Sequence, residues 1–349
     1  MDRKIFWIFA LSSTVYFTQG IEGLPSQGLF YYLKEARNFS PEKIMYLASF
    51  TSLAWIVKPF IGYLIDNFLS KRAWIFLSLA MDVLAVLALG LLSVPVPLLV
   101  ALLLFNSTNT AFRDVSVDGV MCVEGKKYNL TGKIQSVQWI SISVAGLIIG
   151  ILGGYIAEKS GYKLAFLCLI PVYFLIAFCA YFYREDRQRP VDFKKRALSH
   201  DLKKLFSNKR LLIVAVFIFL YKYSPSFGTP LFFIQRDTFK WSKLWIGTLD
   251  TIAMAFSIAG SIFYYKFSQR INIKKWLYIF VFLGAVLTLS YLYYTPVSAV
   301  IYSLLYGFIG MFVFLMIMDF MAKNTMAGFE ATSFALLCSF SNLALYAGN

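Results

Sequence analysis

The chain has 349 residues, 59% of them hydrophobic and 18% aromatic, with 15% charged and a mean hydropathy of +0.67. Soluble domains are about half apolar and about a quarter charged, so these values exclude a soluble monomer and make the bilayer the solvent for most of the chain. The net charge of +15 sits in short loops, with no basic stripe interleaved with aromatics on a polar segment, which argues against a nucleic-acid partner.

Windows of about 20 apolar residues with few charges fall at 5–33, 43–65, 73–93, 97–120, 133–157, 162–183, 211–235, 245–268, 276–295, 298–321 and 329–349. They predict an all-α membrane protein with eleven spans. The first window is too long and too polar, with Gln19, Glu22 and Gln27, for a signal peptide, and no small-residue cleavage site follows it. With the N-terminus inside, the inner segments hold 22 Lys and Arg against 8 outside. The positive-inside rule then predicts a cytoplasmic N-terminus, and a cell inner or plasma membrane is the expected location. Lys58, Arg113 and Lys222 are the basic residues within spans.

The longest polar stretch, 184–210, follows the sixth span and carries ten basic residues. It reads as a solvated cytoplasmic linker between an N-terminal six-helix bundle, 1–183, and a C-terminal bundle, 211–349, in which about five helices are present. The single histidine, His200, lies in this linker and is assigned no role. Cys122, Cys168, Cys179 and Cys338 all lie in apolar runs without a C-x-x-C pair, as packing residues do.

Sliding the second half on the first by about 201 positions brings Tyr31-Tyr32-Leu33 onto Phe232-Phe233-Ile234, Asp118 beside Asp319, and Gly132-Lys133-Ile134 onto Ser333-Phe334-Ala335. Two pseudo-symmetric six-span repeats joined by a basic inner loop resemble the major facilitator fold, whose binding site lies at mid-membrane between the halves. Eleven spans is one short of that pattern, and the chain stops within an apolar segment at Asn349. The expectation is a truncation in or after span eleven; a true eleven-span protein with an external C-terminus is the alternative.

A charge at the bilayer centre costs about 2.5–3.5 kcal/mol on insertion scales, so each intramembrane charge needs a partner or a watery cavity. Span four holds Arg113, Asp114 and Asp118 and ends at Glu124, preceded by a polar run from Asn106 to Thr110. Asp114 and Asp118, four residues apart, share a face, and Lys58 of span two lies at similar depth. A Lys58 pair with Asp114 or Asp118 is therefore expected, as a static clamp or as a proton relay. Span one carries Gln19, Glu22 and Ser26 on one face, loosened by Gly20, Gly23, Pro25 and Gly28. The corresponding part of span seven has Lys222 between Tyr221 and Tyr223, followed by Pro225, Gly228 and Pro230. Glu22 and Lys222 are expected to face one cavity, as an ion pair, as substrate ligands, or as a gate that forms and breaks. Glu22 is the first choice for a proton-coupling group and Asp114 the second.

Gly62-Tyr63-Leu64-Ile65-Asp66, followed by Lys71-Arg72, resembles the loop motif of major facilitators, in which the acid meets a helix N-terminus and basic partners to hold one conformation. No G-x-x-x-x-G-K-[ST] run exists, which argues against a nucleotide-driven pump. The D-x-x-x-D pair lacks the further acids or histidines of a metal-assisted site, so neither an enzyme nor a metal or other cofactor is expected.

Several segments together resemble the folate-biopterin transporter family of the major facilitators. These are Tyr16-Phe17-Thr18-Gln19-Gly20, Tyr31-Tyr32-Leu33-Lys34, Phe39-Ser40-Pro41, Lys58-Pro59-Phe60-Ile61-Gly62 with Asp66, and Asp114-Val115-Ser116-Val117-Asp118 with Glu124. Gln135-Ser136, Gly153-Gly154-Tyr155, Glu330-Ala331-Thr332-Ser333-Phe334 and Ser341-Asn342 extend it over nearly the whole chain. The resemblance implies proton-linked symport of folates or pterins. A folate needs cations for its carboxylates, an aromatic slot for the pterin and an acid for the pterin amino edge. Lys222 or Arg113, the tyrosines of spans one and seven including Tyr223, and Glu22 with Gln19 would supply these. Lys58, Asp66, Glu124 and Asp319 would serve structure and gating. Gly119 stands where the family often has alanine, and Arg113 replaces a small residue, departures that bear on the substrate and not on the fold. The alternatives are a permease for another solute such as a muropeptide, or a non-transporting membrane receptor on the same fold.

The topology is testable with reporter fusions: those after Arg189 are expected to read cytoplasmic and those after Lys240 external, and the reverse at both sites would refute it.

Overall fold

The computed structural model of the chain describes residues 2–186, 203–223 and 228–348; these are helical, with no strand among the described residues. Most of the basic linker, with His200, and the expected helix-loosening Pro225 lie outside the described residues.

Span one is α1 (Arg3–Ile21), capped by Asp2, then a turn through Glu22–Pro25 and α2 (Ser26–Tyr31), which widens into a π-helical turn at Tyr32–Ala36. The glycines and Pro25 break the helix at the point where Glu22 stands. Span two is also broken, into α3 (Pro41–Thr51) and α4 (Lys58–Asn67). Pro59 lacks an N–H to donate and suits only a first helical turn, so α4 starts afresh at Lys58. Span three is α5 (Lys71–Leu91), capped by Ser70, and span four is α6 (Val96–Tyr128), 33 residues ending at Asn129 with φ 54°. At 1.5 Å per residue α6 is about 50 Å long and outruns a hydrocarbon core of about 30 Å.

Spans five and six come from α7 (Thr131–Leu167) and α8 (Ile170–Phe182). Within α7, Gly161 adopts φ 69°, ψ −173°, a left-handed conformation that costs glycine little because it has no Cβ. The second half follows as α9 (Lys209–Lys222), α10 (Gly228–Phe233), α11 (Lys243–Phe267), α12 (Ile273–Ser290), α13 (Pro296–Leu305), α14 (Met311–Lys323) and α15 (Glu330–Gly348). Every predicted window thus overlaps a helix. By length and composition six helical stretches among the described residues can cross a membrane: Pro41–Asn67, Lys71–Leu91, Leu152–Phe182, Trp245–Phe267, Ile273–Tyr293 and Pro296–Lys323.

Lipid offers no hydrophobic drive for helices to associate, so close contact at small residues takes its place. Gly20 of α1 packs on Ala145 and Ile142 of α7, Gly260 of α11 packs on the Phe308 carbonyl, and Gly62 of α4 packs on the start of α15. Around the last contact a small apolar cluster joins Ile61, Ile65, Ala111 and Val115 of the first half to Ala331 and Ala335 of the second.

A Cβ at Gly62 would lie 2.7 Å from Thr332 Cα and 2.9 Å from the Ala331 carbonyl, backbone atoms that cannot rotate away. Gly62→Ala is expected to cost about 1–3 kcal/mol by overpacking and to lower the Tm in detergent. Gly284→Ala, whose Cβ would meet nothing within 4 Å, is the matched control; equal Tm values would refute the close approach.

Candidate functional site

The site grows from α6. Arg113 and Asp114 are consecutive, so they project about 100° apart toward different neighbours, and both lie about 21 Å or more from either end of the helix. Arg113 is 1% exposed. Its guanidinium donates to Glu22 in the break of span one and to Asp82 of α5, and lies 3.3 Å from Thr110 Oγ1. Thr110 donates to Glu22 at 3.0 Å and the Asn106 amide donates to Asp82 at 3.1 Å. The Tyr173 ring covers the guanidinium at 5.2 Å. The polar run before Arg113 is thus the second layer of an ion cluster that contains one cation and two carboxylates.

Asp114 faces the other way. Its Oδ2 is 2.7 Å from Lys58 Nζ, which also stands 4.1 Å above the Trp55 ring. Asp118, one turn on, accepts from the Tyr16 hydroxyl at 2.9 Å and the Gln138 amide at 3.4 Å. This second cluster again sets one cation beside two carboxylates. It borders a gap lined also by Phe334, Ala335 and Cys338 of α15.

Toward the ends of α4, α6 and α14 and the starts of α7 and α15, polar contacts join the two halves. Asp66 accepts from the backbone N–H groups of Ala331 and Thr332 at 3.3 and 2.8 Å and from the Thr332 hydroxyl at 2.7 Å, with Lys71 at 3.9 Å. These are the unsatisfied donors of the first turn of α15, which favour a carboxylate. Asp319 mirrors the arrangement from the other half. It accepts from Thr131 at the start of α7, and from Tyr264 and Lys323 at 2.8 Å each. Lys126 donates to the Thr325 hydroxyl at 2.9 Å, and Gln269 to the Asn129 carbonyl at 2.9 Å. Glu124 stays within the first half, 2.8 Å from Lys4 and 3.4 Å from the Tyr183 hydroxyl. Beyond α8, hydrogen bonds from the Lys127 and Lys4 ammonium groups hold the Asp186 carboxyl below the usual carboxylate range.

One expectation needs correction. Glu22 does not meet Lys222: it is bound by Arg113 and Thr110, while the Lys222 ammonium lies 5.4 Å from the Phe314 ring centroid, with no carboxylate within 4 Å among the described residues. Arg113 is on an adjacent helix of the same half, and a carboxylate removed from water takes the cation its own bundle holds in place. Arg113, the other candidate cation for an anionic substrate, is here paired with Glu22 and Asp82. Gln19 carries a buried Oε1 without a hydrogen-bond partner, and Tyr223 is 53% exposed with its ring stacked on Phe219. Asp82, Gln138 and Thr131 were not among the residues singled out from the sequence, and Tyr16 was named only among the span-one tyrosines, without its bond to Asp118. Asp82 had a signal, an acid inside the apolar run of span three; Tyr16, Gln138 and Thr131 are uncharged, and only the fold brings them to an acid. Among the described residues no group of three or more His, Cys, Asp or Glu converges as a metal site.

The profile of the Major Facilitator Superfamily matches residues 8–348. The chain belongs to the major facilitator superfamily. The folate-biopterin transporter of Synechocystis sp. (strain ATCC 27184 / PCC 6803 / Kazusa) is 23% identical over 362 aligned positions, covering 97% of this chain and 72% of that protein. Folate transporter 1 of Plasmodium falciparum (isolate 3D7) is 22% identical, covering 95% and 69%. Probable folate-biopterin transporter 4 of Arabidopsis thaliana is 27% identical over 43% of this chain and 32% of its own length. These relatives bear out the folate-biopterin resemblance. Among solved structures the fold matches FucP in the outward conformation with a TM-score of 0.70 at 14% identity, covering 97% of this chain and 89% of that one. The human organic anion transporter MFSD10 matches with a TM-score of 0.66 at 16% identity, covering 99% and 91%.

Removing one member of a buried ion pair costs about 3–5 kcal/mol because it leaves the other charge uncompensated. Lys58→Ala is therefore expected to lower the Tm more than Lys58→Ala combined with Asp114→Asn, while adding Asp118→Asn instead restores less. A double mutant no better than the single would refute the Lys58–Asp114 pair.

Proposed function

We propose that this major facilitator is a secondary active transporter that moves folate- or pterin-like organic anions by alternating access, driven by protons. The observation that carries the reading is the pair of mid-depth clusters on α6, each with one cation and two carboxylates, in a fold whose relatives include folate-biopterin transporters. Each cluster holds one negative charge more than positive, and a single proton neutralises the excess. Glu22 is the coupling group in this reading, and Asp82 shares its guanidinium. Asp114 is second, with Lys58 as its counter-charge.

The moving parts are the N-terminal bundle, 1–183, and the C-terminal bundle, 211–349, tethered by the basic linker, 184–210. The polar bonds of Asp66 with Thr332 and Thr131 with Asp319 hold the two together at the cytoplasmic end of this state. Interhelical hydrogen bonds of this kind contribute only about 0.6–2 kcal/mol each in a membrane, so they can be exchanged during a cycle. The partners are the anion, protons and the bilayer of the plasma or inner membrane, with the N-terminus in the cytoplasm.

Purified protein in liposomes tests the reading. Folate or pterin accumulation under an imposed pH gradient is expected for the wild type. Glu22→Gln is expected to abolish accumulation while retaining substrate exchange, because it removes the exchangeable proton without emptying the site. Lys222→Ala is expected to weaken an anionic substrate by roughly tenfold to a hundredfold, the range of a charge-assisted hydrogen bond. Wild-type accumulation by Glu22→Gln would remove the coupling role; no flux of any folate or pterin by the wild type would remove the substrate class.

A further inference from the structure

Trp139 of α7 and Phe314 of α14 come from opposite halves and meet edge to face, their ring centroids 4.5 Å apart at 80°. Counted from Thr131 and Lys323, the ends of their helices where the halves are bonded together, both rings lie about 12–14 Å in, near the middle of a core about 30 Å thick. Both side chains are partly exposed. The indole N–H of Trp139 is buried without a hydrogen-bond partner, as is the amide oxygen of the neighbouring Gln138, a residue 0% exposed. The unmet indole donor at the ring pair suits a ligand that brings a hydrogen-bond acceptor there, whereas Gln138, the preceding residue on α7, projects about 100° away toward Asp118. Lys222 holds its ammonium 5.4 Å from the Phe314 centroid. Tyr16 packs on Trp139 at 6.2 Å and bonds Asp118 through its hydroxyl.

Resting on the transport reading above, we infer that Trp139 and Phe314 form the slot for the flat heterocycle of the transported anion, with Lys222 receiving its carboxylate end. With the rings at 80°, a fused planar ring entering between the two side chains exchanges one edge-to-face contact for two aromatic contacts, stacked on one ring and edge-on to the other. One ring belongs to each half, so a stacked ligand links the halves at mid-depth. Tyr16 connects the slot to Asp118, which gives ligand occupancy a direct route to the Lys58 cluster. Cation–π contact with Phe314 keeps the Lys222 ammonium beside the slot, and a carboxylate offers it a stronger partner.

The test is binding to the purified full chain in detergent, with folate and uncharged pterin as probes, read by titration and by quenching of tryptophan fluorescence. Trp139→Leu and Phe314→Leu are each expected to weaken both probes by roughly tenfold, the value of a lost aromatic stack with its buried area. Lys222→Ala is expected to weaken folate and leave pterin unchanged. Trp139→Phe, which keeps a ring in the slot, is expected to retain most of the affinity and lose most of the ligand-dependent quench; this variant carries the test if a leucine variant fails to fold. Unchanged affinity in both leucine variants, or an undiminished quench in Trp139→Phe, overturns the slot and leaves the transport reading standing. A wild-type chain that binds neither probe overturns the folate-like reading and the slot with it.

Discussion

The first half of the protein is organised by the cost of leaving a charge unpaired in hydrocarbon. Helix α6 carries Arg113, Asp114 and Asp118 within six residues, at a depth where each charge costs about 2.5–3.5 kcal/mol on insertion scales. Such a helix is tolerable only when its neighbours bring partners, and they do so on separate sides. Glu22 from the break in span one and Asp82 from α5 take Arg113; Lys58 from α4 takes Asp114; Tyr16 from α1 and Gln138 from α7 take Asp118. Because consecutive residues on a helix point to different neighbours, these demands set which helices can surround α6.

The same constraint accounts for the irregular backbone. Glu22 stands where α1 ends, in a Gly- and Pro-rich turn, and Lys58 stands where α4 begins, next to Pro59. Broken helices inside a membrane expose backbone groups that lipid cannot satisfy, and protein packing must cover them. Here the breaks place the charged side chains of spans one and two beside α6, so backbone irregularity and ion pairing occur together.

Between the halves the contacts are of another kind. Close approach at Gly62 and small apolar packing around Ile61 and Ala331 set the spacing, and short polar pairs fasten it. Thr332 and Thr131, related by the same offset of about 201 positions that relates the repeats, each open a helix and each bind an acid of the opposite half, Asp66 and Asp319. The repeat therefore extends to the threonine side of this joint, while the acids come from unrelated positions, Asp319 aligning with Asp118 and Asp66 with Phe267. The Trp139–Phe314 contact, further toward mid-depth, is the place where a ligand would meet both halves at once.

Much of this was legible in the residues alone. Hydropathy located the helices, because a bilayer imposes the same length and apolarity on every span; the internal offset and the motifs pointed to the family; and the expense of intramembrane charge singled out Lys58, Arg113, Asp114, Asp118 and Glu22 without any coordinates. The D-x-x-x-D spacing placed two acids on one face and left open which one Lys58 would choose. That choice, the engagement of Glu22 by Arg113 instead of Lys222, and the recruitment of Asp82 were decided by tertiary structure. Charge and periodicity along a chain say that a partner is needed and on which face, but helix packing decides which of several opposite charges comes within a few ångströms. Uncharged partners such as Gln138, Thr131 and Trp139 carry no desolvation cost large enough to mark them in a sequence, so only the fold, by setting them against an acid or a ring, gives them a role.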